Sequence, residues 1–330
     1  MTLQLKNIGM IKEASVKIDG LTVIAGENDT GKSTVGKALY VILKTASNDN
    51  FSIQENLMLH YMQIIFGGSF FHINQKLKIQ LTVGNDIYSY QYKYKYPSDC
   101  DKVLYNWKWT GEKRLDKDII FIETPLVWSF TDFFRDISQI ESQMNIKVDY
   151  PPLMKDLNFK LHIKSASNGL NIKKQMTNLM GGEFKKDEMG HYYFDKNGEK
   201  IELVNTATGI KTFGLFQILS QNNYLNENMV LILDEPEVHL HPKWQLEMAK
   251  VIVNLVKNKV KVVVNSHSPY MIDALKYYAE ELEVNSNFYL AEKNKDETSI
   301  IKDVTMDISP IFEKLTKPLR QLRKMKLGLQ

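Results

Sequence analysis

Cysteine is almost absent from this 330-residue chain, with Cys100 standing alone. A single thiol excludes an intramolecular disulfide framework and any multi-cysteine zinc site, and it fits a reducing cytosol. Long apolar runs are absent as well. The opening stretch, MTLQLKNIGMIKEASVKIDG, is broken repeatedly by charge, unlike a signal peptide, and no segment reaches the roughly 20 apolar residues a transmembrane helix needs. The expectation is a cytoplasmic protein with no membrane partner. Charge excess is lacking too: the net charge of +3 leaves partners to be argued from local patches. No repeat or low-complexity tract is visible. What remains is an ordinary globular composition, 43% hydrophobic and 25% charged. That suffices to bury a full core in one large domain, or in one domain carrying an inserted lobe.

Periodicity predicts short strands at 3–8, 14–18 and 21–25, the last wholly apolar and therefore central. Helices follow at 32–45 and 54–65. Two alternating runs, 77–83 and 87–96, flank the turn Gly84-Asn85-Asp86 and make an antiparallel hairpin. An apolar strand at 119–122 stops at Thr124-Pro125, and 126–168 is mostly helical with a break at Pro151-Pro152. A small hairpin is expected around 192–194 and 201–204, then a helix at about 210–219. Buried strands at 230–233 and 260–264 enclose a helix at 242–257. A helix, a strand pair near 287–303 and a basic tail complete the chain. Apolar strands alternating with helices predict an α/β fold with a mostly parallel core sheet, an antiparallel β subdomain and an inserted helical lobe. The division expected is a core from 1–125 and 200–330 with the lobe at 126–200, all within one domain.

The run Gly26-Glu27-Asn28-Asp29-Thr30-Gly31-Lys32-Ser33 fits the phosphate-loop pattern G-x-x-x-x-G-K-[ST] between a predicted strand and a predicted helix, the context that pattern needs. Gly26 and Gly31 allow the backbone N–H groups to turn inward around phosphate oxygens, and the helix N-terminus adds positive field. Lys32 is expected on the β- and γ-phosphates, with the Ser33 hydroxyl on Mg²⁺. Asn28, Asp29, Thr30 and Thr34 complete the set expected to touch ATP.

Val230-Leu231-Ile232-Leu233-Asp234-Glu235 puts two carboxylates at the end of a buried strand. Asp234 suits the magnesium ion, directly or through its water shell, and Glu235 suits the attacking water. One strand later, Val262-Val263-Val264-Asn265-Ser266-His267 ends in a histidine able to hydrogen-bond the γ-phosphate or that water. A lone strand-end histidine also fits a purely structural role, and the neighbouring motifs favour the functional one.

With GENDTGKST, LILDEPEVHLHPKWQ and VVVNSHSPYMIDAL in view, the sequence resembles the ABC-type P-loop ATPases. Within them it is similar to the soluble RecF/OLD-like group, stand-alone ATPases of bacterial defence or DNA-maintenance modules. The likeness covers most of the chain outside 126–200. The absence of long heptad runs sets it apart from SMC-like ATPases, whose lobes are split by coiled coils. The resemblance implies Asp234 as metal ligand, Glu235 as catalytic base, His267 as switch residue and residues 237–241 as a loop crossing a dimer interface. It further implies a homodimer closed as an ATP sandwich, each copy completing the other's site through a signature motif at a helix N-terminus. Thr208 and Gly209 are the candidates, within Thr206-Ala207-Thr208-Gly209-Ile210-Lys211. Here the sequence departs from the family pattern. Ala207 stands where serine is usual, so Thr208 or Thr206 must supply the hydroxyl. Asp29-Thr30 replaces the common Gly-Ser, and Glu123 stands nearest to where a glutamine is expected. ABC transporter subunits carry a different pattern after the glutamate.

Three features keep more than one reading each. His239 and His241 could pair on a metal or belong to the interface loop, with Pro242 opening the next helix. Tyr88, Tyr90, Tyr92, Tyr94 and Tyr96, with Lys93 and Lys95 between them, could stack on bases of DNA or RNA or simply pack a sheet. The stretch Lys314, Lys317, Arg320, Arg323, Lys324, Lys326 could clamp nucleic acid, dock a partner or form an amphipathic surface helix. OLD-like nucleases carry a further acidic domain; about sixty residues follow His267, so no nuclease activity is expected. The functional expectation is an ATP-hydrolysing switch that regulates a separate effector protein or senses nucleic acid. Its alternatives are a slowly hydrolysing ATP-bound scaffold that inhibits a toxin, and a transporter subunit.

Overall fold

The computed structural model describes residues 1–50, 53–67, 76–95, 104–111, 113–145 and 151–326. Its centre is an eleven-stranded sheet. Five strands pair in parallel at one end: β3 (Leu21–Ala25), β7 (Asp118–Ile122), β11 (Met229–Asp234), β12 (Lys261–Ser266) and β13 (Ser286–Lys293), in the order β13-β3-β12-β11-β7. At the other end β1 (Thr2–Ile8), β2 (Ile11–Lys17), β4 (Leu77–Val83), β5 (Asp86–Lys95) and β6 (Leu104–Thr110) run antiparallel in the order β6-β5-β4-β1-β2. β14 (Ser299–Asp303) joins the halves, antiparallel to β13 and parallel to β2. The expected fold class holds, α/β with a mostly parallel core and an antiparallel extension.

The parallel strands are buried and mostly apolar along their middles because each face of the sheet is covered. Alternate residues feed separate cores. Leu21, Val23, Leu231, Leu233, Val262 and Val264 join the core under α6 (Thr208–Gln221), α7 (Pro242–Lys257) and α8 (Pro269–Glu281). Ile24, Val230, Ile232 and Val263 join the opposite core with α1 (Lys32–Ala46) and α2 (Gln54–Phe66). α1 lies in the middle of that second layer, so even its outer turns carry buried side chains.

Residues 126–200 are not wholly helical. They hold α3 (Thr131–Met144), α4 (Pro152–His162) and α5 (Lys173–Met180), but also β8 (Glu183–Lys186) and β9 (Tyr192–Lys196), which with β10 (Glu199–Glu202) form a three-stranded antiparallel sheet. Leu157, Leu161, Met176, Phe184 and Phe194 from this region share the α6–α8 core. Two ion pairs fasten α4 to the main sheet layer: Lys44 Nζ to Asp156 Oδ1 at 2.7 Å, and Lys160 Nζ to Asp118 Oδ2 at 2.7 Å. α9 (Ser309–Lys326) closes the described chain.

Candidate functional site

The register of the parallel strands sets the site. Ala25 pairs with Ser266, and Asp234 with Asn265, so β3, β12 and β11 end at one level. Crevices beyond the carboxyl ends of such strands are where open α/β sheets bind ligands. The loop after β3 turns there into α1. Gly31 makes the turn at φ +85°, and a Cβ on it would lie 2.4 Å from Ile11 Cδ1, so both conformation and space require glycine. α1 has no acidic residue in its first turn, which leaves its N-terminal field positive toward the loop. Met10, residues 28–34 and Glu235 line one open depression. Asn28, Asp29, Thr30, Gly31, Lys32, Ser33 and Thr34 are thus brought together, with Gly26 buried beneath them.

Lys32 is 4% exposed, and its Nζ donates to the carbonyls of Gly26 (3.0 Å) and Glu27 (2.7 Å). Burial pulls its pKa below the ordinary lysine value although Glu235, Asp234, Glu237 and Glu27 oppose the shift. A partly dehydrated ammonium held by two loop carbonyls is ready to exchange them for phosphate oxygens. Ser33 Oγ donates to Asp234 Oδ1 at 3.0 Å, and Asn265 Nδ2 donates to the same oxygen at 2.7 Å. Burial raises the pKa of Asp234; the Asn265 and Ser33 hydrogen bonds pull the other way, while the nearby charges of Glu123 and Glu235 push it further up. Glu123, at the end of β7, pairs with Lys37 of α1 at 3.5 Å.

Glu235 sits at φ +52°, a conformation that costs a non-glycine residue energy and is kept where the surroundings enforce it. Its N–H donates to Asn265 O at 2.9 Å, and its Oε1 lies 3.9 Å from Lys32 Nζ and 3.1 Å from His267 Nδ1. Lys32, Glu235 and His267 therefore meet around one point.

Sequence reasoning missed what holds His267 there. Glu237 is 4% exposed and faces inward. Its Oε1 accepts from Ser266 Oγ (2.7 Å), His267 N (2.9 Å) and Ser268 N (3.2 Å). Ser268 Oγ in turn donates to Gln245 Oε1 at 2.6 Å, and Gln245 Nε2 donates to Leu240 O at 3.0 Å. One buried carboxylate thus joins the 235–241 turn to the turn bearing the histidine. The glutamate two residues past Glu235 was readable as part of the motif, but its role depends on a contact across β11 and β12.

His241 Nδ1 accepts from Lys243 N at 3.3 Å and caps α7, which Pro242 opens. Among the described residues no group of three or more His, Cys, Asp or Glu is placed to hold a metal ion. Thr208 and Gly209 begin α6 and do not line the depression formed by the phosphate loop of their own chain. Thr206 is buried with its hydroxyl donating to Glu202 O at 3.0 Å, so Thr208 presents the exposed hydroxyl at this helix end. Tyr88 and Tyr90 are buried, as sheet packing requires. The side chains of Tyr92, Lys93, Tyr94 and Lys95, and all of Tyr96, lie outside the described residues, as does Cys100.

The donor set suits Mg²⁺ with a triphosphate. Hard oxygen donors, the Ser33 hydroxyl and the Asp234 carboxylate, stand side by side, and Asn265 Oδ1 is buried nearby without a protein partner. When bound, the ion would neutralise phosphate charge.

Residues 128–272 match the family model described as the AAA ATPase domain, a span that begins after the phosphate loop. The chain is 30% identical over 89 residues to the Retron Vc95 probable ATPase of Vibrio cholerae serotype O1 biovar El Tor, covering 23% of this chain and 17% of that protein. It is 36% identical over 45 residues to the Septu protein PtuA of Bacillus thuringiensis, covering 14% of this chain and 11% of that one. These alignments span less than a fifth of either relative. Among solved structures, an SMC head bound to the C-terminal winged-helix domain of ScpA superposes with a TM-score of 0.51 at 13% identity, covering 93% of this chain and 98% of that one. A Pyrococcus furiosus SMC head with an extended coiled coil, bound to the C-terminal domain of ScpA, gives 0.50 at 12% identity, covering 98% and 99%. The chain thus has a fold similar to that of the SMC heads, and its residues 128–272 are similar to the AAA ATPase domain.

Proposed function

We propose that this protein is a cytoplasmic ATP-hydrolysing switch that closes as a homodimer around two ATP molecules and uses that closure to control a separate effector, in anti-phage defence. One observation carries the chemistry: Lys32, Glu235 and His267 converge beside the Ser33–Asp234 pair at the end of the parallel strands. Gly26 to Thr34 cradle the phosphates, and Lys32 transfers its ammonium from loop carbonyls to the β- and γ-phosphates. Asp234 and Ser33 hold the magnesium ion. Glu235 orients the water and accepts its proton as the γ-phosphate is attacked, while His267, 3.1 Å away, reports whether that phosphate is present. Thr208 and Gly209 offer a hydroxyl and a helix N-terminus to the γ-phosphate held by the other copy. The likeness to a retron ATPase and a Septu protein supports the defence context.

Glu235→Gln keeps the shape of the site and removes the base, so with Mg-ATP it accumulates as a dimer in sedimentation velocity. A monomer under those conditions overturns the sandwich. No DNA cleavage is assigned to this chain: DNA incubated with pure protein and Mg²⁺ or Mn²⁺ stays intact.

A second reading is an ATP-bound scaffold that turns over slowly and restrains a toxin. The observation favouring it is Ala207 at the α6 N-cap, with no side-chain cap hydrogen bond and the Thr206 hydroxyl already engaged. Steady-state phosphate release, with and without DNA and the effector, separates the two.

A further inference from the structure

We infer that α9 of one copy docks against an apolar patch beside the α6 N-terminus of a second copy, an extension that rests on the ATP-sandwich reading above. α9 leaves the body of the protein next to the phosphate loop. Ile311 roots it in the α6–α8 core, Phe312 and Leu315 pack on the same cluster, and Lys314 Nζ lies 3.5 Å from Glu27 Oε2. From Lys317 to Lys326 every residue is exposed. Within that span Leu319, Leu322 and Met325 recur every three residues, flanked by Arg320, Arg323, Lys324 and Lys326. An apolar stripe bordered by cations is thus held out beside the nucleotide site.

The matching surface lies at the other half of the proposed composite site. Trp128 Nε1 donates to Lys211 O at 2.9 Å, which fixes the 3₁₀ turn Pro125–Ser129 against the first turn of α6. A second 3₁₀ turn, Leu203–Asn205, packs on it. These turns and the start of α3 expose Leu126, Phe130, Phe133 and Val204, the last 85% accessible. The rings of Phe130 and Phe133 meet edge to face with centroids 6.1 Å apart. Beyond them α3 carries Asp136 and Glu141, and by sequence it has three acids to one arginine.

In a sandwich the phosphate loop of one copy meets the α6 N-terminus of the other, so the surface beside the first faces the surface beside the second. The Leu319–Met325 stripe then covers the Phe130–Phe133 patch, and the α9 cations lie along the acidic flank of α3. Nucleic acid on α9 would use the cations and leave the leucines in water. A second copy uses both.

The test is sedimentation equilibrium of the Glu235→Gln protein with Mg-ATP. Leu319→Asp with Leu322→Asp, and separately Phe133→Asp, each raise the dimer dissociation constant by about tenfold or more. Combining them costs less than the product of the two, because both remove one contact. Arg320→Glu with Arg323→Glu weakens the dimer, and adding Asp136→Lys with Glu141→Lys restores part of it. The urea unfolding midpoint of each variant without ATP stays at the parent value, which separates a lost contact from a damaged fold. A parent dimer whose constant ignores the α9 substitutions overturns the docking and leaves the sandwich intact. The same holds if those substitutions abolish DNA retention instead. A parent protein that never dimerises with ATP takes down both.

Discussion

Glu237 shows how much of the site depends on a side chain that touches no substrate. Removing it leaves the Ser266 hydroxyl and the His267 N–H without their acceptor and takes from the Ser268 N–H one of its two, and a displacement of the His267 turn by even 1 Å can cost about a hundredfold in rate. Glu237→Ala is therefore expected to lower kcat by about ten- to a hundredfold while ATP affinity in calorimetry changes by less than about threefold. Glu237→Gln, which keeps an acceptor oxygen, retains most of the activity. Equal loss in both variants would mean that charge, not positioning, is what matters.

Lys32 supplies a pH dependence at the same scale. Burial lowers its pKa, and phosphate binds the protonated form, so ATP binding takes up a proton once the pH exceeds that lowered value. Affinity then falls as pH rises through that lowered value, below the ordinary lysine range. Calorimetry in buffers of different ionisation enthalpy reads both effects; flat affinity without proton uptake contradicts them. The phosphate loop and the Asp234-Glu235 pair were legible in the sequence because each is contiguous. Asn265 and Gln245 were not assigned roles, and Glu237 was placed only in the interface loop, because their contacts arise only when Asp234 is set against Asn265 by strand register.

Among the elements, those with full periodicity were readable and those with mixed composition were not. The strands 21–25, 230–233 and 260–264 announced themselves by being apolar on both faces. β6 was overlooked, although Leu104-Tyr105-Asn106-Trp107-Lys108-Trp109 alternates, because lysine and asparagine dilute it; Trp109 Nε1 is tied to Gln54 at 2.7 Å. α5 is only 8 residues long, too short for its period to show, yet Gly181 at φ +68° marks its C-cap.

α4 gives the prediction at this scale. Its Asp156 pairs with Lys44 of α1 where both side chains are about four-fifths buried. Asp156→Ala leaves Lys44 without its partner and should cost about 1–3 kcal/mol in chemical denaturation. Burial alone would lower the pKa of Lys44, but the charge and hydrogen bond of Asp156 outweigh it and hold the pKa above the ordinary value. The stabilisation is therefore complete below the ordinary lysine pKa and is lost as pH rises through the raised one. Wild-type and Asp156→Ala proteins should converge in stability only in that strongly alkaline range. Convergence at neutral pH would contradict the assignment.

Across the whole molecule, the sheet order was the least legible feature. β14 sits between β2 and β13, so the two halves of the sheet are joined by the last strand among the described residues, a long-range pairing that no local pattern encodes. The region 126–200 reads as an insertion in sequence but shares one core with α6–α8, and two ion pairs fasten it to the sheet layer. Thermal unfolding is therefore expected as one transition with matching calorimetric and van't Hoff enthalpies; a separate early transition would show the region to be an independent unit.

If the glycine turn, Lys32 and the Ser33–Asp234 pair together hold Mg-ATP, isothermal titration calorimetry of wild-type and Lys32→Ala proteins with ATP and Mg²⁺ must tell the two apart. One nucleotide binds per chain of the wild type, and the substitution reduces uptake at least about a hundredfold, as loss of a charged contact in a buried site implies. Equal uptake by both proteins, or none by the wild type, contradicts that binding.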